Sequence, residues 1–298
     1  MIDASPALRI VAVVVTLNRL GLLKRCVAAL RRQTRPLDAI VIVDNGSSDG
    51  TLEWVADARD LDVIRQGNLG ASGGQHVGIR RAVELGADWI WCMDDDGFAG
   101  DDALALLAAR TGRGDADWLN SLVVDVADRE RLAFGMKGFG LDAARRARAR
   151  EVIVGEANPF NCTLLSRSLV ATIGLPAVPL FIWGDETEYQ RRAKAAGMRI
   201  VTVPASEFFH PASAVPLADM PLAQAWKYYY QVRNKGAVAD PAGNVTLSAR
   251  AARKEARRQA KTLLSVLLTR PGDAIAKWKL LRRGAAAARR NDLTRRYP

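Results

Sequence analysis

The chain has 298 residues, of which 49% are apolar, so it is long enough for one large folded unit with a sizeable core. Three cysteines without a CxxC spacing argue against a disulfide framework or a zinc site, and they favour a reducing, cytoplasmic location. The sequence does not open with a secretory signal peptide and contains no apolar run of about 18 residues, so neither export nor a membrane span is predicted.

The net charge of +11 is concentrated in the last quarter of the chain. Residues 226–298 contain 18 Lys and Arg against 4 Asp and Glu, whereas the first 225 residues contain 25 basic and 28 acidic groups. Together with the motifs described below, this asymmetry predicts two regions, a first domain over residues 1–215 and a basic helical region over residues 216–298.

Strands and helices are predicted to alternate through the first 95 residues. They follow one another, strand first, at residues 10–16, 22–30, 39–43, 51–58, 63–64, 75–85 and 89–93. This order predicts an α/β fold with a mostly parallel sheet and flanking crossover helices. In such sheets, ligands bind outside the carboxyl ends of the strands.

Polar loops follow the predicted strand ends. Thr16, Asn18 and Arg19 follow the first strand, and Asp44 opens the loop after the second. Asp44 could accept hydrogen bonds from a base or a ribose, although an ordinary turn aspartate is the more common explanation. A glycine-rich loop over residues 68–74 would let its backbone approach phosphates closely. It lacks the Lys-Ser/Thr of a P-loop, and GxGxxG does not occur, so ATPase and dinucleotide-binding functions are disfavoured.

Three consecutive carboxylates, Asp94, Asp95 and Asp96, follow the strand at 89–93. Their like charges repel one another unless water or a cation compensates them. A solvated acidic turn explains such a run about as well as a metal site does. In a metal site, Mg²⁺ or Mn²⁺ shared with a substrate diphosphate is expected, because hard cations prefer carboxylate oxygens.

A second acidic motif follows the aromatic stretch 179–183, where Asp185 and Glu186 open a predicted helix. Acids in a first helical turn favour the helix dipole, but a carboxylate at the end of an aromatic stretch could also act as a general base. A strand is predicted at 199–203, and His210 follows it. A lone histidine is more often structural, yet His210 could bind a metal if it faces the aspartates.

The C-terminal region is predicted to form two basic helices. Apolar positions recur at helical spacing over residues 249–267 and again over 275–281, among Lys and Arg. Packing of these helices on the first domain and contact with an anionic membrane surface explain the pattern about equally well. A nucleic-acid-binding surface would need aromatic residues interleaved with basic ones, and this region supplies few, notably Trp278 and Tyr297.

Taken together, these segments resemble the family 2 glycosyltransferases, which are inverting, metal-dependent enzymes of the GT-A fold. The matching segments are Val14–Arg19, Val43–Thr51, Asn68–Gly74, Met93–Asp96 and Trp183–Tyr189, followed by His210. The combination extends over about two thirds of the chain and is specific, although each segment alone is not. Within the family, the chain most resembles bacterial galactofuranosyltransferases and rhamnosyltransferases of cell-surface glycans such as O-antigen. The three aspartates and the acidic pair before a tyrosine favour galactofuranose.

The resemblance implies a role for each segment. Asp94, Asp96 and His210 would bind Mn²⁺ or Mg²⁺. Glu186 would be the general base, and Asp185 would position acceptor hydroxyls. The nucleotide-sugar donor would lie against the remaining motif residues, which are Thr16, Asn18, Arg19, Asp44, Asn68, Gly70, Gly74, Asp95 and Trp183.

The resemblance also implies the substrates. The expected donor is UDP-galactofuranose, with dTDP-rhamnose as the alternative. The expected acceptor is a lipid-linked or cell-surface glycan, used in the cytoplasm or at the inner face of the cell membrane. A nucleotidyltransferase would share the metal-binding aspartates but would not need the segment 183–189.

Overall fold

The computed structural model describes residues 8–212, 215–294 and 297. The strands are β1 Ile10–Thr16, β2 Ala39–Asp44, β3 Leu61–Arg65, β4 Trp89–Asp94, β5 Phe98–Ala99, β6 Trp118–Asp125, β7 Ile153–Val154, β8 Thr163–Ser166, β9 Ile200–His210, β10 Val238–Ala239 and β11 Val245–Thr246. The helices are α1 Leu20–Arg31, α2 Thr51–Ala56, α3 Gly70–Glu84, α4 Ala103–Thr111, α5 Ala144–Arg148, α6 Arg167–Ile173, α7 Asp185–Ala195, α8 Lys227–Arg233, α9 Ala249–Thr262, α10 Leu264–Thr269 and α11 Pro271–Arg289. Short 3₁₀ helices lie at Leu141–Ala143, Val178–Leu180 and Leu222–Gln224. Among the helices of the described ranges, none is long and apolar enough to cross a membrane.

A nine-stranded sheet forms the centre of the molecule. Its strand order is β3-β2-β1-β4-β8-β6-β9-β5, and β7 also pairs with β9. Six of the strands run in one direction, and β5, β7 and β8 run against them. The predicted α/β fold with a mostly parallel sheet is therefore confirmed. In the parallel pairing of β1 with β4, Val15 lies opposite Asp94, so the carboxyl ends of these strands are side by side.

Strand β1 is apolar almost throughout because both faces of the sheet are covered. Its residues are all buried. The even-numbered positions from Ile10 to Val14 belong to one hydrophobic core, and the odd-numbered positions from Val11 to Val15 belong to a second. The alternation of a β-strand therefore distributes one continuous apolar run between two cores.

The glycine-rich loop predicted over residues 68–74 is wrong in its second half, since α3 already begins at Gly70. The glycines let this helix lie close to its neighbours. A methyl group at Gly74 would overlap the side chain of Val15, and one at Gly70 would overlap the backbone of Phe181. Gly70 also has a φ of 73°, a conformation that favours glycine. The glycine spacing therefore reflects close helix packing.

The strand predicted over residues 199–203 is longer than expected and continues to His210 as β9. Its pairing with β6 shifts register between Ser121 and Leu122 and then resumes, so that Asp125 lies opposite His210. Such an irregularity re-aims the following side chains of a strand. The extension brings His210 to the same edge of the sheet as the end of β4.

The C-terminal helices pack on the rest of the chain. Helices α9 and α11 confirm the two predicted basic helices, and the short α10 lies between them. Ala177 and Leu180 share one hydrophobic core with Tyr228, Val232 and residues of α9 and α11. The division between residues 1–215 and 216–298 stays a prediction, because the two regions share this core.

Candidate active site

The carboxyl ends of β1, β4 and β9 bring three motif segments together. Thr16 Oγ1 donates a hydrogen bond to Asp95 Oδ2 at 2.6 Å. Arg19 Nη1 donates to Asp95 Oδ1 at 3.0 Å and to Asp96 Oδ2 at 2.7 Å. His210 Nε2 lies 3.0 Å from Asp96 Oδ1. His210 therefore faces the aspartates, as a metal-binding role requires.

The aspartates differ in their electrostatic environments. Burial, together with the charges of Asp96, Asp95 and Glu186, raises the pKa of Asp94 to about 8. Burial also acts to raise the pKa of Asp96, but His210 and Arg19 outweigh it and lower that pKa to about 2. No ion pair joins Asp94 to a cation within the described ranges. Of these three aspartates, Asp94 is therefore the one whose negative charge is least compensated.

Two carboxylates and an imidazole, from Asp94, Asp96 and His210, are a donor set that suits Mn²⁺ or Mg²⁺. As they stand, the described residues contain no cluster of three acidic, histidine or cysteine side chains arranged to hold an ion. Asp96 is instead paired with Arg19 and His210. The raised pKa of Asp94 fits a role as a cation ligand, because a divalent ion would offset the repulsion from its acidic neighbours.

A cavity of about 690 Å³ opens beside this cluster. This volume lies within the range of about 300–1,000 Å³ that is typical of small-molecule sites. Its wall contains most of the predicted site residues, namely Thr16, Arg19, Asn68, Gly70, Asp94, Asp95, Asp96, Trp183, Glu186 and His210. The sequence motifs therefore converge on one cavity.

Four of the predicted site residues are absent from that wall, namely Asn18, Asp44, Gly74 and Asp185. Asn18 Oδ1 accepts a hydrogen bond from the backbone N–H of Ser48 at 2.7 Å, which joins the loops after β1 and β2. Asp44 is fully buried, and its Oδ1 accepts from the backbone N–H of Ser47 at 2.9 Å. Its Oδ2 has no hydrogen-bond partner among the described residues. The next residue, Asn45, lines the cavity instead.

The first turn of α7 places its two acids in different surroundings. Glu186 lines the cavity, and its Oε2 accepts a hydrogen bond from the backbone N–H of Gly184 at 3.0 Å. Asp185 is only 1% exposed, and within the described ranges neither of its carboxylate oxygens has a hydrogen-bond partner. Burial, with a further contribution from Glu186, raises the pKa of Asp185 well above its usual range. The geometry thus presents Glu186 to a substrate, and it does not support direct contact of Asp185 with acceptor hydroxyls.

Sequence comparison identifies the family. The profile described as "Glycosyl transferase family 2" matches residues 11–157. The galactofuranosyltransferase GlfT1 of Mycobacterium tuberculosis is 36% identical over 211 residues, which are 67% of this chain and 69% of that protein. The chain belongs to glycosyltransferase family 2. GlfT1 of Mycolicibacterium smegmatis is 32% identical over 212 residues, with 67% of this chain and 70% of that protein covered.

Solved structures agree on the fold of this glycosyltransferase. The mannosyltransferase PcManGT from Pyrobaculum calidifontis, in complex with GDP-Man and Mn²⁺, has a TM-score of 0.57 at 16% identity, covering 95% of this chain and 87% of its own. S. aureus TarS 1–349 in complex with UDP has a TM-score of 0.53 at 14% identity, covering 96% of this chain and 88% of its own. GalNAc-T7 with UDP, GalNAc and Mn²⁺ has a TM-score of 0.53 at 16% identity, covering 68% of this chain and 43% of its own. The fold is GT-A, as the resemblance implied.

Sequence reasoning missed two residues of the glycosyltransferase that hold the loop before α7. In this loop Phe181 and Trp183 have positive φ angles of 69° and 54°, which are strained for bulky residues. Asn234 Nδ2 lies 2.7–3.1 Å from the carbonyl oxygens of residues 180, 182 and 183. Arg233 Nη2 donates to the carbonyls of residues 179 and 180 at 2.7 and 2.9 Å. Both side chains are 1% exposed, so this loop is fixed from the C-terminal region.

Lys227, which lines the cavity, is a third residue that sequence reasoning missed. It lines the cavity together with Arg19, and its Nζ lies 5.9 Å from the centroid of the Trp183 ring. Burial, followed by the positive charge of Arg19, lowers the pKa of Lys227. Two cations on one cavity are suited to an anionic ligand. Within a single sequence, one Lys at a helix start among many basic residues carries no distinguishing signal.

Proposed function

We propose that this glycosyltransferase transfers galactofuranose from UDP-galactofuranose to a lipid-linked or cell-surface glycan at the inner face of the cell membrane. The observation that carries the choice of sugar is the 36% identity to a galactofuranosyltransferase over two thirds of the chain. The cavity adds chemical support, because it combines an acidic cluster, two cations and a separate carboxylate at Glu186. These groups match the needs of metal-dependent, inverting sugar transfer.

The donor diphosphate is proposed to lie between the acidic cluster and the two cations. Asp94, Asp96 and His210 would hold Mn²⁺ or Mg²⁺, and the bound ion would supply neutralisation of the charge that develops on the leaving diphosphate. Arg19 and Lys227 supply further positive charge to the same cavity. Arg19 pairs with Asp95 and Asp96, so its guanidinium lies beside the proposed phosphate position.

Glu186 is proposed to act as the general base. The acceptor hydroxyl oxygen attacks the anomeric carbon of the sugar from the face opposite the diphosphate, and the bond from that carbon to the diphosphate oxygen breaks. The hydroxyl proton passes to Glu186, and UDP leaves with the bonding electron pair. The Gly184 N–H fixes the Oε2 atom of Glu186, which limits rotation of the carboxylate.

An assay of nucleotide release across a panel of nucleotide sugars tests the proposal. With a polyprenyl-linked glycan acceptor and Mn²⁺, UDP-galactofuranose is expected to give acceptor-dependent release of UDP and a glycosylated product of inverted anomeric configuration. Release from dTDP-rhamnose but not from UDP-galactofuranose would assign the chain to rhamnosyl transfer. Formation of pyrophosphate would instead indicate nucleotidyl transfer.

A further inference from the structure

The turn between α9 and α11 exposes an unusual concentration of apolar side chains. We define residues 263–278 as the helical tip. It contains five of the eleven large hydrophobic side chains that are exposed within the described ranges, namely Leu264, Leu267, Leu268, Ile275 and Trp278. Leu268 is 89% exposed and Leu264 is 65% exposed. Single exposed leucines are common on protein surfaces, but a contiguous group of this kind marks an interaction surface.

Four of these five side chains, all except Leu268, line one apolar groove. This groove of about 340 Å³ runs between α10 and the first turns of α11, and its walls include Leu263, Leu264, Leu267, Ile275 and Trp278. Beneath it, Val266 and Ala274 pack on Ala218, so the tip has a buried inner side that holds its shape. The exposed side chains are therefore presented by folded helices.

Basic residues flank the apolar tip along both helices. Residues 249–290 contain thirteen Lys and Arg against two acidic residues. Arg257 and Lys261 are exposed in the last two turns of α9, shortly before Leu264. Arg282 follows Trp278 by one turn, and its guanidinium carbon lies 4.7 Å from the centroid of the Trp278 ring. An apolar end with a basic surround is the charge pattern that complements an anionic bilayer surface.

The acidic residues of this region do not weaken that pattern. Glu255 is buried and pairs with Arg258 at 2.6 Å. Asp273 lies 3.8 Å from Arg270. Each acidic residue thus pairs with one neighbouring arginine, and the remaining basic side chains of the flanks keep a net positive charge.

We propose that the helical tip docks the glycosyltransferase on an anionic membrane, with its leucines and Trp278 at the boundary between headgroups and acyl chains. Each well-placed basic residue contributes roughly 1 kcal/mol to such binding, and the apolar side chains add to it. A nucleic acid would satisfy the basic flanks but offers no apolar phase for five exposed hydrophobic side chains. A lipid bilayer provides both environments at the required depths.

The tip is connected to the wall of the active-site cavity. Lys277 is fully buried, and its Nζ donates a hydrogen bond to the carbonyl of Ala218 at 3.0 Å. Ala218 lies between Val215 and Met220, and both of these residues line the cavity. Docking would therefore hold one side of the cavity near the lipid surface. The use of this arrangement rests on the proposed lipid-linked acceptor, whereas the docking itself does not depend on the donor.

Co-sedimentation of the full chain with vesicles tests the proposal. The protein is expected to bind vesicles of phosphatidylglycerol and phosphatidylcholine at low salt and to bind phosphatidylcholine alone much more weakly. The triple variant Leu264→Ser, Leu268→Ser, Trp278→Ser should weaken binding at least about tenfold, because it removes exposed apolar contacts without touching a core. A second variant, Arg257→Glu, Lys261→Glu, Arg282→Glu, should also weaken binding and reduce its salt dependence.

Matched controls use exposed residues far from the tip in sequence. Val154 is 74% exposed and Arg59 is exposed, so Val154→Ser and Arg59→Glu should leave vesicle binding unchanged. Absence of wild-type binding to anionic vesicles would overturn the proposal, and so would full binding by the triple serine variant. If only the charge-reversal variant lost vesicle binding, and DNA displaced the wild type from anionic vesicles, the surface would instead be assigned to polyanion binding.

A separate readout distinguishes docking from catalysis. Nucleotide release with a short, water-soluble acceptor should be equal in the wild type and the tip variants, because the substituted residues lie outside the active-site cavity. Failure of transfer in every protein, with vesicle binding intact, would contradict the proposed function and leave the docking inference standing.

Discussion

Glu186 is the carboxylate best placed to take a proton from an acceptor in this cavity. Glu186→Gln keeps the shape of the side chain but removes its basicity, so kcat should fall by about 10²–10⁴. The affinity for UDP should change little, since the nucleotide contacts are proposed to lie elsewhere. Steady-state nucleotide release and calorimetric titration with UDP measure the two quantities. A larger loss of kcat in Asp185→Asn would exchange the roles of the two acids, and unimpaired turnover in both would place the base at another residue.

Asp94 is the aspartate whose charge most needs compensation. In the absence of metal, Asp94→Asn removes a half-buried carboxylate that lies beside like charges, so the melting temperature of the protein should rise. Addition of Mn²⁺ should raise the melting temperature of the wild type but not of the variant. Asp101→Asn is a suitable control, because Asp101 is an exposed partner of Arg32. If Mn²⁺ raised the melting temperature of Asp94→Asn by as much as that of the wild type, Asp94 would be excluded as a metal ligand.

Asp185 makes the stability of the protein depend on pH in a defined direction. Because its pKa is raised in the folded state, the folded chain keeps this proton to higher pH than the unfolded chain does. Asp185 therefore costs increasing stability as the pH rises from about 3.9, the ordinary value for aspartate, towards its folded pKa. Asn cannot ionise, so the stability gained by Asp185→Asn should be larger at about pH 8 than at about pH 5. Urea denaturation at both pH values measures the difference, and an equal gain at both would contradict the expectation.

At the scale of elements, the end of α8 controls the shape of the loop before α7. Asn234→Ala removes the amide that contacts three loop carbonyls and leaves these groups without that donor in a buried environment. The unfolding free energy should fall by about 2–4 kcal/mol, given a cost of about 1–3 kcal/mol for an unsatisfied buried group. If the loop positions Glu186, kcat should also fall by at least about tenfold, with the KM for the donor little changed.

Asn244→Ala provides the matched control for this variant, because the Asn244 side chain contacts Asp240 in an exposed turn. It should leave both stability and kcat close to the wild-type values. Destabilisation of Asn234→Ala with an unaltered kcat would show that the loop contacts are structural only.

The elements most accessible to sequence reasoning are those with their own apolar pattern. Strands β1, β2 and β4 are continuous apolar runs, so their existence and parallel order follow from the sequence. The antiparallel β5, β7 and β8 are only two to four residues long, too short for a periodic signal. The start of α3 at Gly70 also cannot be predicted from the sequence. Glycine indicates a loop, and the close packing of this helix on β1 is known only from the structure.

The residues in and around the active-site cavity also divide into those that the sequence predicts and those that it does not. The aspartates, His210 and Glu186 stand out because charged groups follow apolar strands. Arg233 and Asn234 do not, because their partners lie more than 50 residues away in sequence and are backbone carbonyls without a side-chain pattern. Asp44 shows the opposite case, since its place in a motif is visible in the sequence, whereas its burial beside the cavity wall is not.

At the scale of the whole molecule, the shared core predicts that the chain unfolds as one unit. Ala177 and Leu180 pack with the C-terminal helices, and Phe181 stacks on Tyr230 with ring centroids 5.0 Å apart. Differential scanning calorimetry should therefore show a single transition with equal calorimetric and van't Hoff enthalpies. Two resolved transitions would instead support independent folding of residues 1–215 and 216–298.

The walls of the cavity come from two parts of the chain. Thr16, Arg19 and the three aspartates lie within the segment that matches the family profile, residues 11–157. Glu186 and Lys227 lie beyond it. Exchange of the second part between relatives, with Trp183, His210 and Lys227 retained, would therefore keep the proposed contacts to the nucleotide sugar and replace the surface proposed to select the acceptor hydroxyl. Linkage regiochemistry could diversify in this way while the sugar nucleotide stays the same.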